Sequence, residues 1–126
     1  MAKEMIVPDL DRKPAGFAPT TKLGNLIFVS GQIGTNERGV VEGGVREQTQ
    51  RTFANLEATL EAAGATMADV MKITCFLIRE NDYKIYAEER AKVFPADAQP
   101  ASSTVIVKAL VKPELFVEVE AIAAIG

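Results

Sequence analysis

The sequence predicts an α+β fold, in which a β-sheet carries two helices on one face. Two observations lead to this prediction. Apolar runs of strand length recur along the chain, and two segments between them repeat their apolar residues every three to four positions. The elements follow the order strands, helix, strand, helix, strands, which is typical of α+β proteins. The chain has 126 residues, 48% hydrophobic and 25% charged, so we expect one globular domain over residues 1–126.

The first third of the chain predicts extended structure. Three prolines indicate short extended pieces and turns in the first twenty residues: Pro8, Pro14 and Pro19. Residues 25–33 then form a short apolar, β-branched run beside glycines, which predicts a strand buried on both faces. Three glycines mark the loop or hairpin expected next: Gly39, Gly43 and Gly44.

Two segments have a helical period. The first covers residues 45–63, and Gly64 supplies its C-terminal stop. Its apolar residues lie three and four positions apart: Phe53, Leu56, Leu60 and Ala63. The second helix begins at Asn81 or Asp82 and ends at Pro95. Its predicted apolar stripe is Tyr83, Tyr86, Ala87 and Phe94.

Three further strands are predicted, at residues 70–78, 103–109 and 115–123. In the last one the odd positions are all apolar, so that face should meet the helices. These positions are Leu115, Val117, Val119, Ala121 and Ala123. The even positions mix acids with apolar residues: Phe116, Glu118, Glu120 and Ile122. This mixture favours a face that meets another subunit, and a solvated face with scattered apolar residues is the alternative.

The composition excludes several kinds of function. The sequence has no histidine, which excludes imidazole bases, serine–histidine–aspartate triads and histidine-ligated metals. Its one cysteine, Cys75, lies in an apolar run and is interpreted as a buried structural thiol. A net charge of −3 and a pI near 5.0 argue against nucleic-acid and anionic-membrane partners. We expect a cytoplasmic protein that has no membrane-spanning segment and uses no cofactor or metal.

Several short segments, in their order and spacing, resemble the RidA (YjgF-type) family of reactive-intermediate deaminases along nearly the whole chain. They are residues 24–27, 30–33, 55–56, 60–64, 69–72, 74, 81–83, 100–101 and 117–123. The resemblance implies a chorismate-mutase-like sheet and a homotrimer with small-molecule clefts between subunits. It also implies hydrolysis of enamines and imines derived from amino acids, which gives a keto acid and ammonia.

The resemblance also assigns roles to individual positions. Glu118 matches the family glutamate that positions water, and Ser30 and Gly31 match the cleft motif serine–glycine–glutamine. The family arginine that grips the substrate carboxylate is replaced by Ser102. The family tyrosine is Phe17 and the family asparagine is Ala87, so three polar groups of active relatives are missing.

Loss of the arginine is the most consequential change. Charge-assisted hydrogen bonds contribute about 1.5–3 kcal/mol each, so weak binding of simple 2-imino acids is expected. Three other cations are candidates to replace it: Lys108, Arg79 and Arg90. A second possibility is a hydroxyl-lined pocket for a neutral ligand, formed by Ser102, Ser103 and Thr104.

Three functions follow from the sequence, in decreasing order of support. The first is hydrolysis of a C=N or related bond, with Glu118 catalytic and Phe17, Ser30, Gly31, Ala87, Ser102 and Thr104 forming the binding site. The second is a non-enzymatic protein that binds a small molecule. The third, an endoribonuclease, is a label of some relatives, and the acidic, histidine-free sequence gives it little support.

Overall fold

The computed structural model describes residues 2–7 and 16–126, and it confirms the predicted α+β class. Pro8 and Pro14 lie outside the described residues. The helices are α1 (Val45–Ala62) and α2 (Tyr83–Val93), and short 3-10 helices at Met67–Asp69 and Glu80–Asp82 precede β6 and α2. The strands are β1 (Glu4–Ile6), β2 (Thr20–Leu23), β3 (Leu26–Ile33), β4 (Thr35–Asn36), β5 (Gly39–Val40), β6 (Val70–Leu77), β7 (Ala101–Ile106) and β8 (Val117–Ala124).

Six strands form one mixed sheet in the order β1-β2-β3-β8-β6-β7. All neighbours are antiparallel except β6 and β7, which are parallel, and β7 lies at one edge. The remaining strands, β4 and β5, form a separate hairpin in which Gly39 has a φ of 113°. The loop or hairpin expected in this region is therefore confirmed.

The hydrophobic core lies between the helices and one face of the sheet. All five odd positions of the last strand segment, from Leu115 to Ala123, are buried, which confirms the predicted parity. Both helices contribute to this core: the Phe53 ring of α1 stacks on Tyr86 of α2 at 6.0 Å and meets Phe94 edge-on at 5.7 Å. Cys75 is fully buried in the same core, and this burial raises the pKa of its thiol to about 12. It is thus the structural thiol that the sequence predicted.

The ends of α1 are defined by backbone hydrogen bonds. The Gly44 amide donates to the Glu47 carboxylate at its start, over 3.2 Å. At its end Gly64 takes a φ of 84°, and the Ala65 amide donates to the Leu60 carbonyl at 2.9 Å. This Schellman-type ending confirms that Gly64 stops the helix.

Three sequence predictions about these elements were wrong in detail. Strand β3 is not buried on both faces in the single chain, because Phe28 on its outer face is 46% exposed. Strand β7 ends at Ile106, because its parallel partner β6 ends at the paired residue Leu77. In α2, Tyr83 is 43% exposed and the charged Glu89 is buried. The tyrosine side chain lines a concavity beside the edge strand, and the Glu89 charge is compensated by ion pairs with Arg46 and Lys92.

Among the described residues, no helix is both long enough and apolar enough to cross a membrane.

Candidate functional site

Glu118 lies on the face of the sheet opposite the helices. It sits in β8 between Phe76 of β6 and Ile33 of β3, and its side chain is half-buried. Burial raises the pKa of its carboxyl above the ordinary value, and the charge of Glu120 raises it further. A carboxyl group that binds its proton more tightly than usual is better suited to donate a proton than an ordinary carboxyl group is.

Glu118 packs directly against the backbone of Gly31. A Cβ atom placed on Gly31 would lie 2.7 Å from the Glu118 Cδ and would overlap the Oε2 oxygen. The φ of Gly31 is not in the left-handed region, so backbone freedom does not require a glycine here. What requires it is the close approach of the Glu118 side chain. Glycine at this position therefore leaves the space that the carboxylate occupies.

A β-bulge places Ser30 and Gly31 beside this carboxylate. Val29 pairs with Ala121 and Gln32 pairs with Val119, so β3 has one more residue than β8 in this stretch. Bulges turn side chains out of the regular alternation and are common beside functional sites. The bulge itself could not be predicted from the sequence, although the Ser-Gly-Gln motif marks its position.

Ser30 also fixes the segment that carries Phe17. Its hydroxyl donates to the Ala18 carbonyl at 2.7 Å, and its amide donates to the Pro19 carbonyl at 2.9 Å. Phe17 is 63% exposed at the rim of a concavity of about 520 Å³. This volume is in the range of small-molecule sites.

The concavity is lined by residues of β1 to β3, β6 and β8. Ser30 and Phe17 line it, whereas Glu118 and Gly31 do not. Apolar side chains such as Phe28 and Ile122 form part of its wall, together with charged residues of both signs: Lys3, Lys72 and Glu120. The Lys72 ammonium donates to the Ser103 hydroxyl at 2.9 Å, so Ser103 lies on this same outer face. Among the predicted site residues, Ser30 and Phe17 thus share one concavity, and Glu118 is not one of its lining residues.

Ser102 and Thr104 lie on the other face of the sheet, together with α2. They pair with the buried residues Ile73 and Cys75 of β6 and point to the same side as these residues do. A second concavity of about 480 Å³ opens there at the edge strand. Its lining residues are Glu80, Tyr83, Arg90, Ser102, Thr104 and Ile106.

Of the three candidate cations, Arg90 of α2 contacts Ser102. Its Nη1 donates to the Ser102 hydroxyl at 3.4 Å. Its guanidinium lies 5.4 Å from the centre of the Tyr86 ring and 5.8 Å from that of Tyr83. Two concavities of the edge, that of about 480 Å³ and a neighbouring one of about 270 Å³ beside Phe94, both include Arg90 and Ser102.

The other two candidate cations are placed differently. Arg79 forms an ion pair with Asp82 at 2.8 Å and lies 4.0 Å above the Phe116 ring, so its charge already has partners. Lys108, predicted within the strand over residues 103–109, lies outside the observed strand, because β7 ends at Ile106. Ala87 lies on α2 one turn before Arg90 and lines neither of these two edge concavities.

The predicted site residues therefore fall into two groups on opposite faces of one sheet. Glu118, Gly31, Ser30 and Phe17 form the outer group, and Ser102 and Thr104 belong to the edge group beside α2. Sequence reasoning missed the tyrosine platform under Arg90. The seven-residue spacing of Tyr83 and Arg90, two helical turns, is the signal that places both on one side of α2.

Within residues 2–7 and 16–126, no three acidic or cysteine side chains are placed to hold a metal ion.

Fold and concavities together define a small α+β protein with sites of small-molecule size on both sides of its sheet. The chain belongs to the RidA (YjgF-type) family: the family model described as endoribonuclease L-PSP matches residues 12–125. A RutC family protein of Pyrococcus abyssi is 41% identical over 126 residues, with 98% of each chain covered.

Two further relatives connect the family to chemistry and to structure. A protein of Dermatophagoides farinae named 2-iminobutanoate/2-iminopropanoate deaminase is 36% identical, covering 98% of this chain and 97% of its own. The crystal structure of the Rid family protein YyfA from Yersinia pestis has a TM-score of 0.89 at 31% identity, covering 98% of this chain and all of its own.

Proposed function

We propose that this chain hydrolyses a C=N bond of a small molecule, at a site shared between two copies of the chain. The observation that carries the proposal is the Glu118 carboxyl, recessed against Gly31, with a pKa raised by its surroundings. The relative named 2-iminobutanoate/2-iminopropanoate deaminase supports this reaction type.

The chemistry asks little of the protein. Water adds to the imine carbon, a proton moves to the nitrogen, and ammonia leaves as the carbonyl forms, so that R₂C=NH and H₂O become R₂C=O and NH₃. The imine carbon is already electrophilic, and the site needs to hold the substrate, place the water and relay protons. Glu118 is the group that performs the last two tasks in this proposal.

The two groups of residues support a site shared between copies. The sheet separates Glu118 from Ser102 within one chain, and a second copy would bring its edge group to the outer face of the first. That outer face carries apolar side chains for such a contact, since the paired residues Phe28 and Ile122 are 46% and 36% exposed. A homotrimer, in which each copy contributes both groups, would close three equivalent sites.

A non-enzymatic binding protein is the second candidate. It is favoured by the three replaced polar groups, since Phe17 has no hydroxyl, Ala87 no amide and Ser102 no charge. In that case a ligand would raise the melting temperature and be recovered unchanged after long incubation. The family model is described as an endoribonuclease. In this chain the net charge of −3 argues against an RNA-binding surface.

The deciding experiment measures ammonia release from a freshly generated 2-imino acid by the parent protein and by Glu118→Gln. We expect release by the parent and none by the variant. Light scattering should give both proteins a molar mass of about three times 13.6 kDa. Glu120→Gln is the matched control on the same strand face. The Glu120→Gln variant should keep turnover. The acidic limb of its pH–rate profile should move to lower pH, because the Glu120 charge contributes to the raised pKa of Glu118. Turnover retained in Glu118→Gln would rule out the assignment.

A further inference from the structure

Arg90 is an arginine whose charge is unpaired within the part of the chain that the structure describes. The ion pairs found there join Arg46, Lys92 and Arg79 to carboxylates, and none involves Arg90. Instead its guanidinium donates to one neutral hydroxyl and lies over aromatic rings. It is also only half-exposed, so it is held at the wall of the edge concavity.

We propose that Arg90, from α2, binds the carboxylate of the substrate, and that this edge concavity is an anion subsite for a small 2-oxo or 2-imino acid. The inference rests on the proposed function in one respect, that this subsite and Glu118 of a second copy act on the same substrate. Anion binding itself requires no turnover.

The geometry suits a small carboxylate in three respects. The tyrosine rings of α2 hold the planar guanidinium, so less of its side-chain freedom is lost when it binds an acid. Ser102 and Thr104 supply hydroxyl donors beside it on the neighbouring strand. Ile106 and the exposed Tyr83 ring supply apolar surface for a short carbon chain.

Glu80 limits what this subsite accepts. Its carboxylate lines the same concavity and forms no ion pair with Arg90. A second negative group on the ligand would be repelled by it, whereas a nitrogen or a carbonyl near it would not. Monocarboxylates are therefore expected to bind better than dicarboxylates of similar size.

The test measures equilibrium binding of 2-oxobutanoate, the keto acid that hydrolysis of 2-iminobutanoate would release, by NMR titration. Arg90→Gln keeps a side chain that can still lie over the tyrosines but removes the charge, and its affinity should fall about tenfold or more. Lys84→Ala, an exposed cation on the same helix, is the matched control and should bind as the parent does. The neutral probe 2-oxobutanamide should bind the parent and Arg90→Gln equally.

A rescue variant tests the position directly. Adding Ser102→Arg to Arg90→Gln places a guanidinium on β7, at the same edge of the sheet. The double variant should bind 2-oxobutanoate with an affinity within about threefold of the parent's. The proposal is overturned if Arg90→Gln binds 2-oxobutanoate as tightly as the parent does, or if the double variant binds no more tightly than Arg90→Gln.

Binding and catalysis fail separately in this design. Glu118→Gln should bind 2-oxobutanoate normally while releasing no ammonia, whereas Arg90→Gln should lose both. A parent protein that binds the acid through Arg90 but hydrolyses no imine would contradict the proposed function and leave the anion subsite in place. A parent protein that binds no monocarboxylate would contradict the subsite.

Discussion

Replacing Gly31 by alanine should displace the Glu118 carboxylate without removing it. The added Cβ would lie 2.7 Å from Cδ and 3.0 Å from Cγ of Glu118, and it would overlap the Oε2 oxygen. Ordinary carbon contacts begin near 3.4 Å, so the carboxylate must move by roughly 1 Å. A misplacement of this size in a reacting group costs on the order of 100-fold in rate.

Stability should change far less than rate in Gly31→Ala. The backbone of Gly31 is outside the left-handed region, and the overlapping atoms are the end of a flexible side chain. We therefore expect a fall in the initial rate of ammonia release, with a shift in Tm of only a few degrees. The displaced carboxylate should also become more hydrated, so its pKa, measured by NMR titration, should move down towards the ordinary carboxyl value.

A double variant decides whether the loss acts through Glu118. In the Glu118→Gln background, Gly31→Ala should cause no further decrease in rate, because the group that it displaces no longer takes part. Equal losses in both backgrounds would show that Gly31 acts in some other way. Full activity and an unchanged Glu118 pKa in Gly31→Ala would refute the reasoning from this contact.

Three further predictions concern stability. Gln48 is buried, and its side chain donates to the Glu114 carbonyl at 2.8 Å and accepts from the Phe116 amide at 2.8 Å. Gln48→Leu should therefore lower the free energy of unfolding, measured with urea, by about 2–4 kcal/mol. Gly64→Ala should cost about 1–2 kcal/mol from the φ of 84° alone, since the new Cβ meets only one side-chain atom at 3.8 Å. The hydrogen bond from Lys92, the largest cause, lowers the pKa of Glu89 from 4.5 to about 2. The stabilisation from this lowered pKa is fully present at pH values above the ordinary carboxyl pKa and is lost as the pH falls towards 2. The stability of Glu89→Gln should therefore fall less steeply with decreasing pH than that of the parent.

The fold was largely predictable because its apolar pattern is strong. The odd positions of β8 and the three- and four-residue spacing in α1 each have one interpretation, and both proved correct. The details that failed depend on partners far along the chain. The end of β7 is set by the end of β6, and the burial of Glu89 is set by Arg46, which lies 43 positions earlier.

The candidate site was predictable in its residue types and not in its arrangement. The family resemblance proposed Glu118 and the Ser30–Gly31 motif, and their roles stay a prediction. The motif marks the position of the bulge, but the close contact between carboxylate and glycine depends on a bulge geometry that the sequence does not predict. The sequence gives three possible cations, and only the structure distinguishes among them. Arg79 is already paired, whereas Arg90 reaches the hydroxyl of Ser102.

Ser102, at the position that the family resemblance assigns to an arginine, lies beside Arg90 of α2. The two positions lie 12 residues apart, yet the turn after α2 brings the guanidinium to within 3.4 Å of the serine hydroxyl. An arginine at position 102 would bring a second positive charge to the same edge, and the two like charges would repel each other unless an anion lay between them. The proposed anion subsite takes its charge from the helix, and the rescue by Ser102→Arg in the Arg90→Gln background tests whether a guanidinium on the strand can take its place.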